Sequence, residues 1–206
     1  MQLSDAFAPD LSPDDVFLDR IPRLHEERRV QFRQFVDCPL IFSFRFTDTD
    51  RSYTVELDED EARSEKGEMI DFPLATVEGR QADWEAVKFH LLELLEEADR
   101  RADEYVERVG INAKMIEQFE RFDGVIDITF RGARLDHPIA MRVILNDYEP
   151  VDDARSFAVD IPIELLFSVV RGEVPPSEAA KSLRIKGEMG FALELGGFFL
   201  KHLKDS

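Results

Sequence analysis

Apolar and polar positions change period along this chain, and each change marks an element. Leu40-Ile41-Phe42-Ser43-Phe44-Arg45-Phe46 ends in strict alternation, as a half-buried strand requires. Thr47 to Asp50 is turn chemistry, and Tyr53 to Leu57 supplies a partner strand. The acidic stretch from Asp58 to Lys66 reads as a loop, and Pro73 to Val77 as a third strand. Upstream, the segment through Pro13 reads as a loose arm. Ser12-Pro13-Asp14-Asp15 starts a helix, with Ser12 as cap and acids near the positive end of the dipole. A second helix is expected after Pro22, carrying Leu24, Val30, Phe32 and Phe35.

Gln81 to Gly110 has helical period throughout. Trp84, Leu91, Ala98 and Tyr105 recur every seven residues, with Val87 and Leu94 between them. Two readings fit this stripe: an amphipathic helix packed on its own sheet, which is preferred, or a seam to a second subunit or an enzyme partner. Asn112 can cap a helix over Ala113 to Phe122 that aligns Met115, Ile116, Phe119 and Phe122 on one face. Asp123-Gly124 breaks it. Strands follow at Val125 to Arg131, Ile139 to Leu145 and, after an acidic loop from Asn146 to Asp153, Phe157 to Ile161. Pro162 opens a helix that runs to Arg171 and ends at Gly172.

Both halves therefore repeat helix, strand, strand, acidic loop, strand, helix. Gln31-Phe32-Arg33-Gln34-Phe35 is echoed by Gln118-Phe119-Glu120-Arg121-Phe122, and Thr54-Val55-Glu56-Leu57 by Arg142-Val143-Ile144-Leu145. A spacing of about 87 residues exceeds solenoid repeats and points to two similar small units. Chance likeness between two amphipathic segments is the competing explanation. The expected division is an N-terminal α/β region over 1–110 and a second domain over 111–206.

Composition narrows the function. The chain has 206 residues, 17 Phe and 44% hydrophobic residues, enough for a packed core. No apolar run nears the roughly 18 residues that span a bilayer. The N-terminus lacks a basic flank followed by an apolar stretch, so no secretory signal is expected and a cytoplasmic protein is the simplest reading. Cys38 is alone, which excludes an intramolecular disulfide and a cysteine metal cage. The net charge is −18, with 25 acids against 12 bases over residues 1–100 and 19 against 14 over 101–206. Such a field repels phosphate backbones and anionic lipid surfaces, so nucleic acid is not an expected partner.

The last third carries a more specific pattern. Arg171-Gly172-Glu173 closes a helix and Pro175-Pro176-Ser177-Glu178-Ala179-Ala180 starts a short one. Leu183 to Met189 reads as a strand turning at Gly187, and Phe191, Leu195, Phe198, Phe199 and Leu203 mark a terminal amphipathic helix. This order resembles the final third of a sterol carrier protein domain, and with the elements from Ala113 onward the resemblance covers about half the chain. Lys181 departs from it, standing where the family often has Gly. Residues 20–110 would be a truncated second copy, since they lack the terminal strand-Gly-helix segment.

The resemblance implies an α+β fold, a largely antiparallel sheet covered by helices. Between sheet and helices it implies an apolar tunnel for a fatty acid, acyl-CoA or sterol-like lipid, with no cofactor. Candidate lining residues are Phe130, Leu166, Phe167, Val170, Met189, Phe191, Leu195, Phe198 and Phe199. Gly196-Gly197 within the terminal helix would serve close packing or a hinge that lets this helix swing as a lid. No nucleophile elbow, P-loop, dinucleotide fingerprint or zinc motif occurs, so no catalytic or metal-binding residue is assigned. His25, His90, His137 and His202 are expected on helix surfaces and a turn. The function expected is lipid binding and transport without catalysis. The alternative is an accessory module with a filled core that supports an enzyme complex.

Overall fold

Alternation along β1 (Leu40–Phe46) puts Phe42, Phe44 and Phe46 on one face and Ser43 and Arg45 on the other. The same parity runs through β2 (Arg51–Leu57), β4 (Ala75–Gly79), β5 (Gly124–Arg131), β6 (Ile139–Leu145) and β7 (Ser156–Pro162). The computed structural model describes residues 3–33, 36–100 and 111–204. With β3 (Ala62–Lys66) and β8 (Arg184–Gly187), these strands form one mixed, mostly antiparallel sheet ordered β3-β2-β1-β4-β6-β5-β7-β8. The fold is α+β. β1 pairs antiparallel with β2 and parallel with β4; β5 pairs antiparallel with β6 and parallel with β7. β4 and β6 close the seam between the two sets through Ala75↔Leu145 to Glu78↔Arg142.

Helices cover the face that carries Phe44, Tyr53, Val77, Val143, Ile126 and Phe157. One core cluster joins Phe7, Phe17, Phe46, Tyr53, Val55 and Trp84 under the N-terminal helices and α4 (Trp84–Arg100). A second joins Leu145, Phe157, Val159, Phe191 and Leu195 under α8 (Met189–Lys204), flanked by Phe119 of α5 (Ala113–Phe119). Phe191 lies so close to β5 that a side chain on Gly124 would enter its ring and stand 2.7 Å from the Arg155 carbonyl.

The opposite face mixes polar and apolar residues. Ser43, Thr54, Thr76, Ile144 and Val125 form one register row across five strands, and two loops cover it. Thr54 Oγ1 donates to the Gly67 carbonyl at 2.6 Å and Thr76 Oγ1 to the Asp147 carbonyl at 2.8 Å. The Tyr148 hydroxyl accepts from Met69 N at 2.8 Å. In a neighbouring row Arg45, Glu78, Arg142 and Asp127 alternate in sign, with Arg45–Glu78 at 3.1 Å and Arg142–Asp127 at 2.8 Å. Opposite charges on adjacent strands help fix register.

Several sequence expectations change. The N-terminal segment is not a loose arm: α1 (Leu3–Ala6) leads into buried Ala6 and Phe7. The signal for this lies 80 residues away in Lys88, which is 1% exposed and donates to the carbonyls of Pro9 at 2.8 Å and Leu11 at 2.7 Å. Ser12 caps α2 (Pro13–Asp15) in a capping box with Asp15, as expected. The two N-terminal helices are one continuous helical run. A π-helical stretch, Val16–Arg20, joins α2 to α3 (Ile21–Phe32), and Ile21 N bonds back five residues to the Val16 carbonyl. Pro22 has no N–H to give and crowds the carbonyl four residues earlier, so a widened turn before it relieves both problems. Phe35 lies outside the described residues.

The predicted acidic loop contains β3. Ala62-Arg63-Ser64-Glu65-Lys66 shows no apolar alternation because it is an edge strand pairing only with β2, where charge guards an open edge. The long helix begins with a 3₁₀ turn, Gln81–Asp83, and its described part ends at Arg100; Tyr105 and Gly110 lie outside the described residues. Asn112 caps α5 through Met115 N as expected, but the helix stops at Phe119, where the Asn146 amide donates to the carbonyls of Phe119 and Phe122. α6 (Ile163–Val170) ends at Gly172, whose φ of 70° suits glycine. α7 (Pro176–Ser182), β8, the turn at Gly187 (φ 102°) and α8 follow in the expected order. Gly196 and Gly197 do not serve close packing: side chains built there would meet nothing within 4 Å.

Candidate functional site

An apolar cavity of about 390 Å³ lies over the β4–β6 seam, between the sheet and the helices. Its floor is Phe44 and Phe46 of β1, Val77 and Gly79 of β4, Phe130 of β5 and Ile139 to Met141 of β6. Gly79 leaves room there, since its missing side chain would point toward Met141 at 3.9 Å. α4 supplies one wall through Trp84, Val87, Leu91 and Leu94. α6 supplies another through Ile163 and Leu166, and the N-terminal segment borders the space with Phe7, Phe17 and Ile21. Its size falls in the range of about 300–1,000 Å³ usual for small-molecule sites.

Four polar residues border this space, Arg45, Arg80, Asp83 and His90, though its surface is almost entirely apolar. Asp83, 4% exposed, lines it and holds His137 Nε2 at 2.7 Å. His90, 7% exposed, also lines it. Its Nδ1 stands 3.1 Å from Glu93 Oε2, while Glu93 Oε1 accepts from Arg134 at 2.7 Å. The Arg134 guanidinium in turn covers the Phe167 ring at 4.2 Å. His25 and His90 are thus buried, contrary to the expectation of surface histidines. A second hollow of about 530 Å³, lined by Arg131, Asp160, Ile161, Pro162, Ser182 and Arg184, lacks this apolar character. Among the described residues no cluster of His, Cys, Asp and Glu has metal-ligand spacing. No helix among them is long and apolar enough to cross a membrane.

Of the predicted lining residues, Phe130 and Leu166 line the cavity. Phe167 is buried beside it, its ring 6.3 Å from that of His90, and Val170 lies half-buried at the end of the same helix. The others are elsewhere. Phe191 and Leu195 fill the second core cluster. Phe198 packs against Phe122 at 5.3 Å and Phe119 at 5.8 Å. Met189 and Phe199 face outward, 48% and 42% exposed. Among the described residues α8 contributes nothing to the lining, so the wall expected from the terminal helix comes from α4 and α6. The sequence did carry a signal for the missed residues: Trp84, Val87, Leu91 and Leu94 are the heptad stripe of α4. Trp84 is buried in the first core cluster, which fits the reading of that stripe as packing on its own sheet.

No protein-family model matches the chain, and neither curated proteins nor solved structures give a match.

Proposed function

We propose that the protein binds and carries a small lipophilic molecule without transforming it, holding it between sheet and helices. The observation that supports this reading is the cavity, whose lining is almost entirely aliphatic and aromatic over some 390 Å³. Burying each CH₂ there gains about 0.8 kcal/mol, which drives uptake with little need for directed contacts.

The strand order supports a sterol-carrier-like architecture in two similar units. Each set makes an antiparallel hairpin and then returns parallel to the hairpin's first strand, β2-β1-β4 and β6-β5-β7. The second unit adds β8 and the terminal helix, segments a truncated first copy would lack. On this reading residues 1–110 and 111–206 are two units sharing one sheet, and the first contributes half the cavity. Native mass spectrometry of the purified protein, followed by organic extraction, tests the function. A stoichiometric lipid lost on denaturation is expected. Leu166→Trp, which fills the cavity, should abolish it. An empty protein that also ignores added fatty acids and acyl-CoA would overturn the carrier reading and favour an accessory module that acts through its surface.

A further inference from the structure

The terminal helix carries two apolar seams, and the core uses one. Phe191, Leu195 and Phe198 of α8 step by four and three residues and turn inward onto the second cluster and the rings of Phe119 and Phe122. Met189, Leu193, Gly196 and Leu200 step by four, three and four on the opposite side, the spacing with which one helix seats against another. Leu193 is 67% exposed and Met189 48%. Side chains built at Gly190, Gly196 or Gly197 would meet nothing within 4 Å. Adjacent glycines weaken a helix, and no contact within the chain, among the described residues, offsets them. They leave a notch one turn from the protruding Leu193.

The charges beside this seam point to what covers it. Glu194 and Lys201 are both exposed and stand seven residues apart, so they share one flank of the outward seam. Glu194 Oε2 holds Arg155 at 2.8 Å, which leaves its other oxygen toward solvent. Two copies of α8 laid antiparallel about a two-fold axis turn each Glu194 toward the other's Lys201 and oppose their helix dipoles. A parallel pair would set Glu194 on Glu194 and Lys201 on Lys201. An anionic lipid surface is repelled by the net charge of −18, and a neutral one has no match for this alternation of sign. We infer that α8 docks on a second copy of this chain as an antiparallel helix pair, with Leu193 of each copy seated at Gly196-Gly197 of the other. Among the described residues α8 does not line the cavity, so this contact is separate from the proposed ligand site. One helix face offers less than the roughly 800 Å² per partner of a stable complex, and the net charge opposes the approach of two copies, so the dimer is weak and salt strengthens it.

Sedimentation equilibrium of the full chain, from micromolar to submillimolar concentration, tests it. The average mass should rise from that of one chain toward two, and further at ~0.5 M than at ~0.05 M sodium chloride. Leu193→Glu should abolish the rise while leaving the thermal midpoint in place, because the side chain it replaces is exposed. Gly196→Leu should raise the thermal midpoint and yet weaken association, since it mends the helix and fills the notch. Glu194→Lys and Lys201→Glu should each associate poorly alone and recover when the two variants are mixed, because only the mixed pair restores opposite charges on the shared flank. A chain that stays monomeric throughout, a dimer indifferent to Leu193→Glu, or a mixture no better than its parts overturns the inference. So does a monomer whose binding to phosphatidylcholine vesicles depends on Leu193, which would assign the face to lipid.

Discussion

At the scale of single residues, buried polar groups and one close approach give the sharpest consequences. His25 is buried, and burial lowers its pKa below the ordinary 6.5, outweighing the opposing contact with the Asp58 backbone. The unfolded chain takes up a proton that the folded chain resists. Stability from this site is therefore intact above about pH 6.5 and is lost as pH falls toward the depressed folded value. Between pH 7.5 and 5.5 the urea midpoint of the wild type should fall more than that of His25→Leu. Gly124→Ala should cost about 1–3 kcal/mol in urea unfolding, because the new methyl group displaces the Phe191 ring from the second cluster. Lys88→Met should leave the Pro9 and Leu11 carbonyls without their donor, at about 1–3 kcal/mol. Its signature is local: hydrogen exchange should speed up over residues 5–15 before the sheet loosens. None of these three roles is legible in sequence. A lysine on a helix, a histidine among arginines and a glycine before a strand all have ordinary readings, and only distant contacts give them another.

Elements were far more legible, and the failures have physical causes. Strands with one buried face announced themselves by alternation, and seven of the eight lie where period and turn residues put them. β3 was missed because an edge strand paired on one side has no apolar row to reveal it. The segment before Ser12 carries no such signal, because its anchor is Lys88 on α4. The cavity was half-legible. The α4 stripe lies over the sheet from Trp84 to Leu94, but apolar side chains facing a core and facing a hollow are the same in sequence, and the terminal helix carries an equally apolar face. Its packing belongs to the second cluster. Phe198→Ala should cost about 3–5 kcal/mol in denaturant unfolding while ligand uptake by the folded fraction is unchanged.

For the whole molecule, the excess of acids acts on stability more than on fold. Carboxylates on the surface repel one another, and that repulsion relaxes when the chain unfolds. Added salt screens it over a Debye length of about 10 Å at 0.1 M. The thermal midpoint should accordingly rise between 0.05 and ~0.5 M sodium chloride; a flat response would mean that ion pairs such as Arg45–Glu78 and Arg155–Glu194 already balance the field.

The seam between β4 and β6 sets a limit on how this chain can be divided. A cut near residue 110 looks natural from the repeat and from the element order. In the folded protein it would strip β6 of a neighbour and bare Ile139-Ala140-Met141-Arg142-Val143-Ile144-Leu145 as an apolar edge with open amides and carbonyls. Residues 111–206 expressed alone would meet that need in the only way open to them, by lending strands to one another as dimers and aggregates.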